Sequence, residues 1–142
     1  MRAILIDPVN QTITQIEILP DLAGFRAAIG CRRIETYCRF EPTPEVLTGD
    51  EEALYQERVS YFSITFGPDD VLHFPGRCII SVLDPNTGKD QPCRLPLEAV
   101  QAVTAFCSEE ESNRLRAGAI AGSGQVSDWD FFAPEQPATL PR

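Results

Sequence analysis

The chain has 142 residues, 43% of them apolar, and carries 12 basic against 21 acidic groups for a net charge of −9. That length suits one domain with one hydrophobic core, and no apolar run approaches the roughly 18 residues that a membrane-spanning helix needs. The negative balance disfavours duplex DNA or RNA as a ligand, because phosphate contacts depend on basic groups that release counterions.

Met1 to Pro8 is an apolar strand running into a turn, and Gln11 to Ile18 alternates in the β manner, so the sequence opens on a hairpin. A hairpin this early leaves no room for a signal peptide, which leads us to expect a cytoplasmic protein. Asp21 can cap a first helix, with Leu22, Phe25 and Ile29 on one face and Gly30 as its stop. Cys31 to Phe40 then alternates as a half-covered strand, with Ile34, Cys38 and Phe40 inward and Arg33, Glu35, Tyr37 and Arg39 outward. Glu41-Pro42-Thr43-Pro44 ends it. Thr48-Gly49-Asp50-Glu51 reads as a turn, and Ala53 to Arg58 fits strand or helix equally.

Ser60 to Phe66 is β-rich and stops at Gly67-Pro68-Asp69-Asp70, with a short strand over Val71 to Phe74. Arg77 to Leu83 is the second strong strand, turned by Asp84 to Lys89 towards a short partner around Cys93-Arg94-Leu95. Pro96 starts a helix carrying Leu97, Val100, Val103 and Phe106. Ser108 and Glu111 match a capping box, and the acids that follow Ser108, with Arg114 and Arg116 later, complement the dipole of an exposed helix ending at Gly118. Residues 119–142 form a Gly/Ser/Pro-rich tail around Asp128-Trp129-Asp130-Phe131-Phe132. Hairpins mixed with two or three helices predict an α+β domain over residues 1–118, its helices packed on a mostly antiparallel sheet.

Several of these segments together resemble a family. Met1 to Pro8, Ile29-Gly30-Cys31, Gly49-Asp50 before Leu54-Tyr55, Pro75 to Ile80 and the turn-then-helix from Asp84 to Val103 look like the small phage and plasmid proteins of the domain-of-unknown-function 3846 family, over about residues 1–106. The resemblance implies a mobile genetic element in a bacterium as the setting and transfers no activity. It also implies strand rather than helix for Leu54-Tyr55-Gln56. Residues 57–74 and the chain after Cys107 depart from the family's pattern.

Chemistry-bearing constellations are sparse. His73 is the sole histidine, so Cys–His catalysis requires it to meet one of Cys31, Cys38, Cys78, Cys93 or Cys107, together with an orienting acid. Placed between Leu72 and Phe74, it is expected to point outward from a strand, and the cysteines, lacking any CxxC pair, to be reduced packing residues. Zinc sites favour close-spaced Cys and His pairs, whereas Cys31 and Cys38 would fall on opposite strand faces. Gly88-Lys89-Asp90 lacks the rest of a phosphate loop, and neither Asp50-Glu51-Glu52 nor Asp69-Asp70 has EF-hand spacing. We therefore expect no metal, no cofactor and no enzymatic activity.

Three features point to binding. The strand face Arg33, Glu35, Tyr37 and Arg39, with side chains about 7 Å apart, sets two guanidiniums and an aromatic ring in a row with the chemistry to grip a phosphate or stack a base, with Arg33, Tyr37 and Arg39 as the binding residues. Residues 41–72 hold eight acids against Arg58 alone, with Glu51, Glu52, Asp69 and Asp70 suited to a basic partner. Trp129, Phe131 and Phe132 offer apolar area that needs a covering surface, in this domain, a second copy or a host protein. The leading expectation is a non-enzymatic mobile-element protein that inhibits a host protein, with a defence system as the target class, by protein–protein contact. The alternative is a homo-oligomer that sequesters a small anion such as a signalling nucleotide.

Overall fold

The computed structural model describes residues 1–122. β1 (Arg2–Asp7) and β2 (Thr12–Glu17) form the expected hairpin, in register from Arg2↔Glu17 to Asp7↔Thr12. Asp7 holds its turn: Oδ1 accepts from the backbone N–H groups of Val9 at 3.0 Å and Asn10 at 3.2 Å, while Oδ2 accepts from Asn10 Nδ2 at 2.9 Å and faces Arg77 Nε at 3.1 Å. In α1 (Leu22–Ile29), the Asp21 carboxylate caps Gly24 N at 2.7 Å, and Gly30 ends the helix in the left-handed region at φ 79. Phe25 and Ile29 are buried, and Leu22 stays exposed.

The larger sheet has the order β2-β1-β7-β4-β3, built with β3 (Ile34–Arg39), β4 (Glu45–Asp50) and β7 (Cys78–Leu83), and β8 (Asp90–Gln91) pairs with the end of β7. The smaller sheet is β6-β5-β9, from β5 (Tyr61–Gly67), β6 (Asp70–Pro75) and β9 (Thr104–Phe106). Every pairing among the described residues is antiparallel, so with three helices this is an α+β fold.

Strand parity divides the large sheet into two buried faces. Ala3 and Ile79 meet Phe25 and Ile29 of α1 on one face. Ile4, Ile6, Leu47, Cys78 and Ile80 lie on the other, in one cluster with Phe62, Ile64, Phe66 and Phe74 of the small sheet. Each large apolar side chain buried here stabilises by roughly 1.5–3 kcal/mol.

β3 departs from the predicted alternation. Thr36 pairs with Thr48 but Cys38 pairs with Leu47, so a β-bulge leaves Tyr37 as the extra residue. The bulge reverses parity, turning Tyr37 into the core at 0% exposure and placing Arg39 on the opposite face. The Tyr37 ring lies 6.1 Å from that of Phe74 and nearly parallel to it, at 6°. It also sits against Gly49, where a methyl group would lie 2.6 Å from Tyr37 Cζ and 2.8 Å from Oη.

That close approach explains why the expected Thr48–Glu51 turn is instead the end of β4, a strand buried along its whole length. Four further differences follow from tertiary context. Ala53–Tyr55 is one 3₁₀ turn rather than the strand that the family resemblance implied. The partner of β7 is Asp90–Gln91 rather than the segment around Cys93. α2 (Leu97–Val103) stops before Phe106, because Thr104 to Phe106 pair with β5. α3 (Glu109–Gly122) passes Gly118, which leaves Arg114 and Arg116 in mid-helix rather than at its end. The Ser108 cap is as expected, with Oγ accepting from Glu111 N at 3.1 Å.

Two predictions test this packing. Gly49→Ala should lower stability by about 1–3 kcal/mol through overpacking against Tyr37, whereas Gly118→Ala, with open space around the added methyl, should raise it by roughly 0.5–1 kcal/mol. Denaturant titration checks both signs. Burial pushes the Asp7 carboxyl up, but the Asn10 hydrogen bonds and Arg77 outweigh it and hold the group below its ordinary value. Its contribution is therefore present above the unfolded carboxyl pKa of about 3.9 and is lost as pH falls through the lower folded value. In Asp7→Asn that part of the acid-side stability loss should vanish from the pH profile of thermal unfolding.

Candidate functional site

The predicted anion-binding row is not assembled. Arg33 precedes β3, Arg39 lies beyond the bulge, and Tyr37 between them is in the core with Oη donating to Asp50 O at 2.6 Å. Arg39 lines a shallow groove of about 510 Å³ together with Glu41, Glu45 and three prolines. With Tyr37 buried and Glu41 exposed beside Arg39 in that groove, the strand does not provide the ring-and-guanidinium face expected of it.

The acidic block is partly structural. Glu45 is 1% exposed, its Oε2 accepting from Arg94 N at 2.9 Å. Asp50 Oδ1 accepts from Glu52 N at 2.8 Å, and Glu52 takes a bidentate pair from Arg32 with both bonds at 2.7 Å. Glu51 is exposed. Asp69 is exposed and Asp70 half-buried in the β5–β6 turn, on a different element. Trp129, Phe131 and Phe132 lie outside the described residues.

Around these acids the chain builds a pinned loop over residues 50–58. Glu51 N donates to Arg33 O at 3.1 Å, and Gln56 Nε2 donates to Asp50 Oδ2 at 3.4 Å. Arg116 of α3 closes the other side, donating to Leu54 O at 3.3 Å, to Glu57 O at 3.1 Å and to Gln56 O. Ala53 and Leu54 are buried, and Tyr55 has 83% of its surface exposed, with Glu51 and Glu57 also exposed on the same loop. Reading the sequence alone misses both Tyr55 and Arg116, because Arg116 matches a helix-dipole role and nothing local shows that it crosses to another segment.

A second cluster was also missed. His73 on β6, Cys107 just after β9 and Glu111 in the first turn of α3 bring a ring nitrogen, a thiol sulfur and a carboxylate oxygen within 4.8 Å of one another, all half-buried. His73 thus does not simply face outward as expected. Tyr61 organises the site: its backbone carbonyl accepts from Cys107 N at 3.0 Å, and its N–H donates to Ser112 Oγ at 3.0 Å. Ser63, two residues along β5, pairs with His73. Burial pushes the Cys107 thiol up, and the Glu111 carboxylate that accepts its hydrogen bond raises it further, to about 11. An acid facing the thiol opposes thiolate formation, the reverse of a Cys–His nucleophile whose acid orients the histidine from behind. The signal available in the sequence, Glu111 three residues after Ser108, was absorbed by the capping box.

No helix of the described residues is long and apolar enough to cross a membrane. No family model, no curated protein and no solved structure matches the chain.

Thiol chemistry checks these environments. Burial raises Cys38 and Cys78 strongly and Cys93 as well, so in the folded, reduced protein these three should resist a disulfide reagent. Cys31 and Cys107, half-exposed but also raised, should react slowly at pH 7 and faster as pH approaches 9 to 10. Peptide mapping after timed labelling reads out each site, and rapid neutral-pH labelling of Cys107 would contradict the environment described.

Proposed function

We propose that this protein is a non-enzymatic binding protein of a phage or plasmid that inhibits a host protein, with a defence-system component as the target class, in the bacterial cytoplasm. The observation that carries the reading is Tyr55, 83% exposed on a loop whose backbone is fixed from both sides. A large aromatic held in water by rigid backbone has its ordering cost met before binding, which is how interface anchors work. Glu51 and Glu57, exposed on the same loop, favour a partner with basic groups around an apolar slot. The mobile-element setting is part of the same proposal and draws only on the resemblance to the domain-of-unknown-function 3846 family read from the sequence of residues 1–106, to which no family model adds support.

Tyr55→Ala should leave stability within about 0.5 kcal/mol, since the side chain is exposed, yet weaken partner binding by about 2 kcal/mol or more, roughly 30-fold. Parallel capture from host lysate with wild type and Tyr55→Ala identifies the protein that depends on this residue, and its affinity is then measured directly. Added salt should weaken that complex, and Glu51→Gln with Glu57→Gln should slow its association. A partner held equally well by Tyr55→Ala would remove the loop as the contact surface.

A further inference from the structure

We propose that His73, Cys107 and Glu111 form a Zn²⁺ site with three protein ligands. The donors come from three elements, β6, the segment after β9 and α3, and lie within 4.8 Å of one another. Tetrahedral zinc with Zn–N and Zn–O of about 2.0–2.2 Å and Zn–S of about 2.3 Å needs donors about 3.3–3.7 Å apart. The donors therefore need to close by no more than about 1.5 Å to reach that spacing.

Hydrogen bonds and strand register already hold the framework for that closure. β5 carries the site on two residues of one strand: Tyr61 fixes Cys107 N and the Ser112 hydroxyl of α3, and Ser63 fixes the register of His73. The donor set selects the metal class. Thiolate and imidazole favour zinc and its borderline-soft neighbours, whereas calcium and magnesium require an all-oxygen shell. Charge also balances: Zn²⁺ with one thiolate and one carboxylate is neutral, which suits a half-buried position. On binding, the Cys107 S–H bond breaks, its proton passes to solvent and the sulfur bonds to zinc. The proposal is argued from none of the residues that carry the Tyr55 contact surface.

The test uses untagged full-length protein, because an added histidine tag would mask the sole native histidine. After reduction and chelator treatment, Zn²⁺ should bind at one equivalent per chain and raise the thermal unfolding midpoint. Co²⁺ should give tetrahedral ligand-field bands with a thiolate-to-cobalt charge-transfer band. Cys107→Ser should abolish the charge-transfer band. His73→Asn and Glu111→Gln should weaken metal binding by about tenfold or more, and Cys31→Ser should leave it unchanged. Zn²⁺ should also protect Cys107 of the wild type from alkylation, a readout that does not depend on any variant folding. A wild type without the charge-transfer band, a band that survives Cys107→Ser, or zinc that fails to protect Cys107 would each overturn the assignment.

Discussion

The inward turn of Tyr37 is the constraint on which the rest of the molecule depends. One extra residue in β3 moves a phenol from the solvent side to the centre of the core, and three consequences follow from its position. The ring requires a glycine opposite, which makes Gly49 part of a strand rather than of a turn. It stacks on Phe74, which joins the large sheet to the small one beside His73. Its hydroxyl donates to Asp50 O, and Asp50 in turn caps the loop that carries Tyr55. Burial pushes the Tyr37 hydroxyl well above its ordinary range, so it remains a donor at every pH the protein meets.

Elements whose signals are local were legible in the sequence. The β1–β2 hairpin, the Asp21 cap and Gly30 stop of α1, the β5–β6 hairpin, β7 and the Ser108 cap all have their determinants within a few residues. β4 was illegible because it is buried on both faces and contains a glycine and two acids, Glu45 and Asp50, that satisfy themselves through Arg94 N and Glu52 N. The bulge was illegible because alternation over Ile34 to Phe40 looks unbroken until pairing with Leu47 is known. Val103 and Phe106 keep helical spacing, yet pairing with Ile64 and Phe62 draws Thr104 to Phe106 into a sheet, an instance of tertiary pairing overriding a local pattern.

The same distinction applies to the sites. Charge counting along the chain suggested one acidic surface, but Glu45, Asp50 and Glu52 are engaged within the fold, so the accessible negative charge narrows to residues such as Glu51, Glu57 and Asp69. The spacing argument against a metal considered residues close in sequence, whereas His73 and Cys107 meet only because β5 pairs with β6 on one edge and β9 on the other. Nothing within either segment records that adjacency.

α3 joins these two regions through one helix. Its attachment relies heavily on polar contacts: Ser112 Oγ accepts from Tyr61 N, Arg116 grips the carbonyls of residues 54, 56 and 57, and Glu111 meets Cys107, while Leu115 and Ala119 supply modest apolar cover. With modest apolar burial, the helix depends on those polar contacts to offset its ordering entropy. Any group that binds only the docked helix shifts that balance by mass action. A metal bridging Glu111 to β6 would therefore favour the same docked helix from which Arg116 holds the carbonyls of the Tyr55 loop.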